Sequence, residues 1–146
     1  MVTRAIDTSL RTTLGAIFAK YPISLAYLYG SEAAGQATPL SDFDIALVMT
    51  DDVYKPKSHL TLELQVEEEI ARIFGIGNID VRIMNEAPLM VRGEVVTNGI
   101  LLYSQDEVFR VDYETSTRSE YFDFIPIAVM HQEAYFERLS ERGKDG

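Results

Sequence analysis

The sequence predicts an α/β domain: a small mixed sheet of about four strands, helices banked mainly on one face, and a long C-terminal helical region. Three observations lead there. Short apolar runs alternate with stretches of helical period. The chain has 146 residues and is 47% hydrophobic, enough to bury one real core. From Ser104 onward, a polar opening leads into a region with no further strand pattern. The expected organisation is one domain over 1–146, with a core of about 1–104 and a helical region of about 105–143.

The elements follow in order. Residues 3–20 read as a helix, because Ile6, Leu10, Leu14, Ile17 and Phe18 fall near 3.6-residue spacing and Tyr21-Pro22 ends it. Ile23 to Tyr29 is a buried strand that stops at Gly30, and a polar loop containing Gly and Pro runs through Ser41. Phe43 to Met49 is a second strand. His59 to Phe74 carries Leu60, Leu64, Ile70 and Phe74 with acids between them, a helix ending at Gly75. Asn78 to Met84 is a third strand, Leu89 to Thr97 a short helix and Gly99 to Tyr103 a fourth strand. Ser104-Gln105-Asp106 opens the long helical region, which Pro126 should interrupt. The sheet face opposite the main helix layer is expected to remain available as a cleft.

Composition narrows the function classes. No apolar run approaches the roughly eighteen residues of a membrane span, and the N-terminal segment lacks the apolar stretch of a signal peptide. Cysteine is absent, which excludes disulfides and thiolate metal sites and points to a reducing cytoplasm. The formal charge of −10, from 23 acidic against 13 basic residues, argues against nucleic acid as a direct partner, since phosphate neutralisation drives that affinity. A small nucleotide that arrives with its own metal ions remains compatible.

Function shows in the segment from Leu28 to Asp44. Glycine at a strand end lets backbone approach a ligand closely, and Ser31 adds a hydroxyl and an N–H beside Gly30. Asp42 and Asp44 then open an apolar strand. Side chains two apart share one strand face, with Cα atoms roughly 6.5–7 Å apart. That span lets two carboxylates converge on one or two cations about 3.5–4 Å apart. Oxygen-only ligands favour Mg²⁺ or Mn²⁺ over zinc. In Asn78-Ile79-Asp80-Val81-Arg82-Ile83, Asp80 and Arg82 take one face and the apolar residues the other. If this strand neighbours Phe43–Met49, Asp80 joins the carboxylates. It could then bind a second metal and help deprotonate an attacking hydroxyl.

Each feature has a plainer reading: a turn for Gly-Ser, a solvated turn or helix cap for Asp-x-Asp, a pair with Arg82 for Asp80. The combination of strand, Gly-Ser, ten residues, Asp-x-Asp and a later strand Asp is what favours a catalytic site. That combination resembles the DNA polymerase β-like nucleotidyltransferase superfamily, over about residues 25–85. The short chain, and the segment from Arg118 to Phe124, resemble the minimal nucleotidyltransferase (MNT) antitoxins of the MntA type, which pair with HEPN-domain RNase toxins. The resemblance implies that Gly30 and Ser31 hold the triphosphate of ATP, that Asp42 and Asp44 bind Mg²⁺, and that Asp80 completes the triad. It implies transfer of AMP to a tyrosine hydroxyl of a HEPN toxin, which inactivates the toxin, and a homodimer or a hetero-oligomer with that partner. Many relatives carry arginines after Gly-Ser, where this chain has Glu32 and Ala34. Phosphate charge would then fall to metals, backbone N–H groups, Arg82, Lys55 or Lys57.

Two other classes stay open: a binding-only antitoxin that masks its toxin, and a small-molecule enzyme of the aminoglycoside-modifying kind. The C-terminal aromatics Phe109, Tyr113, Tyr121, Phe122, Phe124, Tyr135 and Phe136 are expected mostly to pack on the chain's own sheet, with part of the stripe docking a partner helix. Tyr29 is expected in the core more than at an adenine base. His59 and His131 lack metal-ligand spacing, and Glu67-Glu68-Glu69 reads as a solvated helix face.

Overall fold

The computed structural model describes residues 8–30, 43–56 and 59–145. Its elements are α1 (Thr8–Phe18), β1 (Leu25–Tyr29), β2 (Phe43–Val48), α2 (His59–Phe74), β3 (Ile79–Ile83), α3 (Leu89–Asn98), β4 (Ile100–Ser104) and α4 (Glu107–Asp145). The sheet runs β3-β2-β1-β4, with β2 and β4 antiparallel to β1 and β3 parallel to β2. This is the expected mixed four-stranded sheet.

The period of two splits the central strands between two cores. Ala26, Leu28, Phe43, Ile45, Leu47, Val81 and Leu102 meet Leu14, Ile17 and Phe18 of α1 and Val66 and Ile70 of α2. On the other face, Leu25, Tyr27, Ala46 and Val48 meet Val95 and Val96 of α3, with Phe109 and Tyr113 of α4 packed against them. The helix layer expected on one face is α1 and α2, but the second face is not left bare. α3 and the start of α4 cover it over Leu25 and Tyr27, because those residues are too apolar to leave in water.

Several local signals hold. Gly75 ends α2 at φ 66, a left-handed position suited to glycine, with its N–H on Ala71 O at 2.8 Å. Asp106 caps α4 through Oδ1, which accepts the Val108 N–H at 2.9 Å. The inner phase of α2 differs from expectation. Leu62, Val66, Ile70 and Phe74 face the core, while Leu60 and Leu64 are 60% and 54% exposed. Leucines occupy both phases of this helix, and packing chose the one that places Glu63 and Glu69 inward.

The acids of α2 are therefore more than a solvated face. Glu69 is buried and receives hydrogen bonds from Lys20 and from the Tyr21 hydroxyl, which hold its carboxyl below the usual range. Glu67 Oε1 accepts the Val81 N–H at 2.9 Å, and Glu63 Oε2 accepts the Ile83 N–H at 2.7 Å. β3 is an edge strand, and these two glutamates satisfy outward N–H groups that its single neighbour cannot reach. Of the run, Glu68 is the exposed member.

α4 continues as one helix through Pro126, where an interruption was expected. Its first half is anchored. Tyr27 donates its hydroxyl to buried Glu114 at 2.7 Å, Arg110 binds the same carboxylate at 2.9 Å, and Arg118 reaches Val96 O at 3.1 Å. Tyr121 lies over Gly93 of α3, where a Cβ would stand 2.2 Å from the ring. From Val129 to Arg142 every residue is exposed. No helix among the described residues is long and apolar enough to cross a membrane.

Candidate functional site

The site is built where β1 ends and β2 and β3 begin. In the antiparallel pairing Tyr29 lies opposite Asp44, and in the parallel pairing Asp44 lies opposite Asp80. Partners in register share a face, so Tyr29, Asp44 and Asp80 form one row across three strands. The row stands on the second face, at the end beyond the rows of Leu25 and Tyr27 that α3 and α4 cover. Neighbouring strands are about 4.8 Å apart, which brings the two carboxylates within reach of a shared cation.

Gly30 closes the row. It has φ 79, and a Cβ there would lie 2.6 Å from Asp44 Oδ2. Both facts call for glycine: the backbone is left-handed, and the carboxylate occupies the space a side chain would need. Gly30→Ala should therefore cost activity out of proportion to stability. We expect a loss of about 1–2 kcal/mol from the left-handed backbone, with a displaced Asp44 carboxylate and weakened metal binding. Thermal unfolding together with Mn²⁺ titration checks this; unaltered Mn²⁺ affinity would refute the coupling of Gly30 to Asp44.

Electrostatics report the same crowding. Burial, and then the negative charges of Asp44 and Asp80, raise the pKa of the Tyr29 hydroxyl. Asp80 is held by Arg82, Nε to Oδ1 at 2.9 Å, in a pair that is largely open to solvent. Arg82 offsets part of the negative charge that the register brings together, and a divalent cation would offset more. The donor set fits a hard divalent ion, since Asp44 and Asp80 offer oxygen alone. With two carboxylates together, the described residues contain no cluster of three or more His, Cys, Asp or Glu side chains able to hold a metal.

Of the residues singled out in the sequence, the structure thus brings together Gly30, Asp44 and Asp80. Ser31 and Asp42 lie outside the described residues, as do Glu32, Ala34 and Lys57. Tyr29 is half-buried against the second core, as expected, and also belongs to the row. Lys55 is far from it, lining a cavity of about 570 Å³ with Met49, Asp52 and His59 at the opposite end of β2. His59 bonds Pro56 O through Nδ1, and His131 is exposed on α4. Glu63 and Glu67, which fix the strand carrying Asp80, were missed. Their signal was present as acids four apart beside an apolar stripe, but pairing them with an edge strand requires the fold.

Comparison with known proteins agrees with this layout. Residues 12–108 match the family model described as polymerase beta, nucleotidyltransferase. No curated protein matches in sequence. Among solved structures, a toxin–antitoxin complex with AMP-PNP contains a chain 18% identical, with a TM-score of 0.63 over 89% of this chain and 98% of that one. An MntA–HepT toxin–antitoxin gives 17% identity and a TM-score of 0.59, over 89% of this chain and 96% of that one. A complex of tri-AMPylated Shewanella oneidensis HEPN toxin with MNT antitoxin gives 17% and 0.59, over 89% and 95%. At such identities the likeness is one of fold.

Proposed function

The chain belongs to the polymerase β nucleotidyltransferase family, and from that premise we propose that it is an antitoxin enzyme that transfers AMP from ATP to a tyrosine hydroxyl of a HEPN-type toxin. The observation that carries the proposal is the register pairing of Asp44 with Asp80 beside Gly30, where β1 ends and β2 and β3 begin. Two carboxylates in register beside a strand-end glycine are the donor set a hard divalent cation takes. Support for the acceptor comes from the similar folds, which were crystallised as toxin–antitoxin complexes, one with AMP-PNP and one with an AMPylated toxin.

In the reaction the tyrosine oxygen attacks the α-phosphorus of ATP. The new P–O bond replaces the bond to the β-phosphate, and pyrophosphate leaves. Mg²⁺ held by Asp42, Asp44 and Asp80 would supply charge neutralisation at the phosphates and lower the pKa of the attacking hydroxyl. Gly30 and Ser31 would let backbone N–H groups approach the triphosphate. Asp80 would draw off the hydroxyl proton, which a tyrosine with a pKa of about 10 does not release unaided at neutral pH.

The part of α4 from Phe122 onward suits the partner. Phe122, Ile125, Val129, Phe136 and Leu139 fall on one stripe with spacings of three, four, seven and three, and Phe122, Val129 and Phe136 are 54%, 46% and 57% exposed. Nothing else in the described chain covers this stripe, so a helix of the toxin is its natural occupant.

Labelled ATP, Mg²⁺ and the toxin should yield a labelled toxin, gaining one AMP per transfer, with ATP preferred over CTP and UTP. Val129→Glu with Phe136→Glu should weaken complex formation by about tenfold or more. Label that stays off the toxin, or passes preferentially from CTP or UTP, counts against the reading. An undiminished complex would remove α4 from the interface.

A further inference from the structure

We propose that Arg82 is a two-position cation: it neutralises Asp80 while no metal is bound, and turns to the nucleotide phosphates when a divalent ion takes Asp80. This rests on the reading of Asp80 as a metal ligand. Three observations support it. Arg82 stands two residues from Asp80 on the same strand face, and its Nε binds Asp80 Oδ1 at 2.9 Å. Its side chain is 67% exposed, so packing does not hold it in that position. In sequence, Gly30 and Ser31 are followed by Glu32, and no lysine or arginine occurs before Asp44.

Charge then dictates the exchange. An exposed ion pair contributes little, so breaking it is cheap. A divalent ion on Asp80 would repel a guanidinium left on the same carboxylate. Nucleotide phosphates offer the displaced guanidinium a planar, bidentate partner. Glu63 and Glu67 hold the backbone of β3 through Ile83 and Val81, so the side chain can move without the strand.

The proposal predicts effects of opposite sign from one substitution. Mn²⁺ alone, followed by electron paramagnetic resonance, should bind Arg82→Ala about fivefold to tenfold more tightly than wild type, since the competing charge is gone. The Mn²⁺ complex of AMP-PNP should bind Arg82→Ala about tenfold more weakly. Arg82→Lys should stay near wild type for Mn²⁺ alone and lose part of the AMP-PNP affinity, because it keeps the charge without the fork. Weaker or unchanged Mn²⁺ binding by Arg82→Ala overturns the proposal, as does unchanged AMP-PNP affinity. Asp44→Asn separates the two readings. If it binds Mn²⁺ as wild type does, the metal site itself is misplaced, whatever Arg82 does.

Discussion

Replacing Asp42 and Asp44 together with asparagine should abolish AMP transfer, by on the order of a thousandfold or more, and leave the fold intact. The size of the effect follows from what the two carboxylates are asked to do. Asp44 faces Asp80 across the β2–β3 pair and touches the space above Gly30, and the described residues add no third acid to form a metal-holding cluster with them. Asparagine keeps the shape and one oxygen but removes the charge that would hold Mg²⁺. Stability should stay near wild type, because asparagine keeps the size of the side chain and deletes no apolar packing. Thermal melting and transfer assays with increasing Mg²⁺ check both halves. Transfer at more than about a tenth of the wild-type rate would remove the two aspartates from catalysis.

How much of this was legible in the sequence differs by element. The strands were, because β1 and β2 are apolar on both faces and end at a glycine and a loop. The functional row was legible only in part. Gly30 and Asp44 follow from local spacing, but placing Asp80 beside Asp44 depends on a parallel pairing across the whole of α2. The sequence could state that pairing only as a condition. The phase of α2 was hidden because Leu60 and Leu64 compete with Leu62 and Val66 for the inner face, and tertiary packing alone decides between them. The cover of the second face by α3 and α4 was hidden for a related reason. α3 is weakly amphipathic in sequence, and its inward residues become visible only once Gly93 admits Tyr121 and Glu114 meets Tyr27. Pro126 misled because a proline that usually breaks a helix is carried here within a single long one.

The second large effect separates an enzyme from a masking protein, the alternative that the same fold and partner would also allow. If neutralisation is catalytic, a small amount of this chain with ATP and Mg²⁺ should inactivate a large excess of toxin. The toxin should stay inactive after the two proteins are separated, since a phosphodiester to tyrosine does not reverse on dilution. A masking protein would need near-stoichiometric amounts, would work without ATP, and would release active toxin on separation. The row of Asp44 and Asp80 beside Gly30 argues for the first outcome, because masking through α4 alone gives no reason to hold two carboxylates in register there. Titrating wild type and the Asp42/Asp44 double variant against toxin RNase activity, with and without ATP, decides the matter. The wild type should protect at about one part in a hundred or less when ATP is present. The double variant should protect, if at all, only near one-to-one through α4. If both protect equally at one-to-one and the toxin gains no AMP, the carboxylate row is not a transfer site and the binding-only reading replaces it.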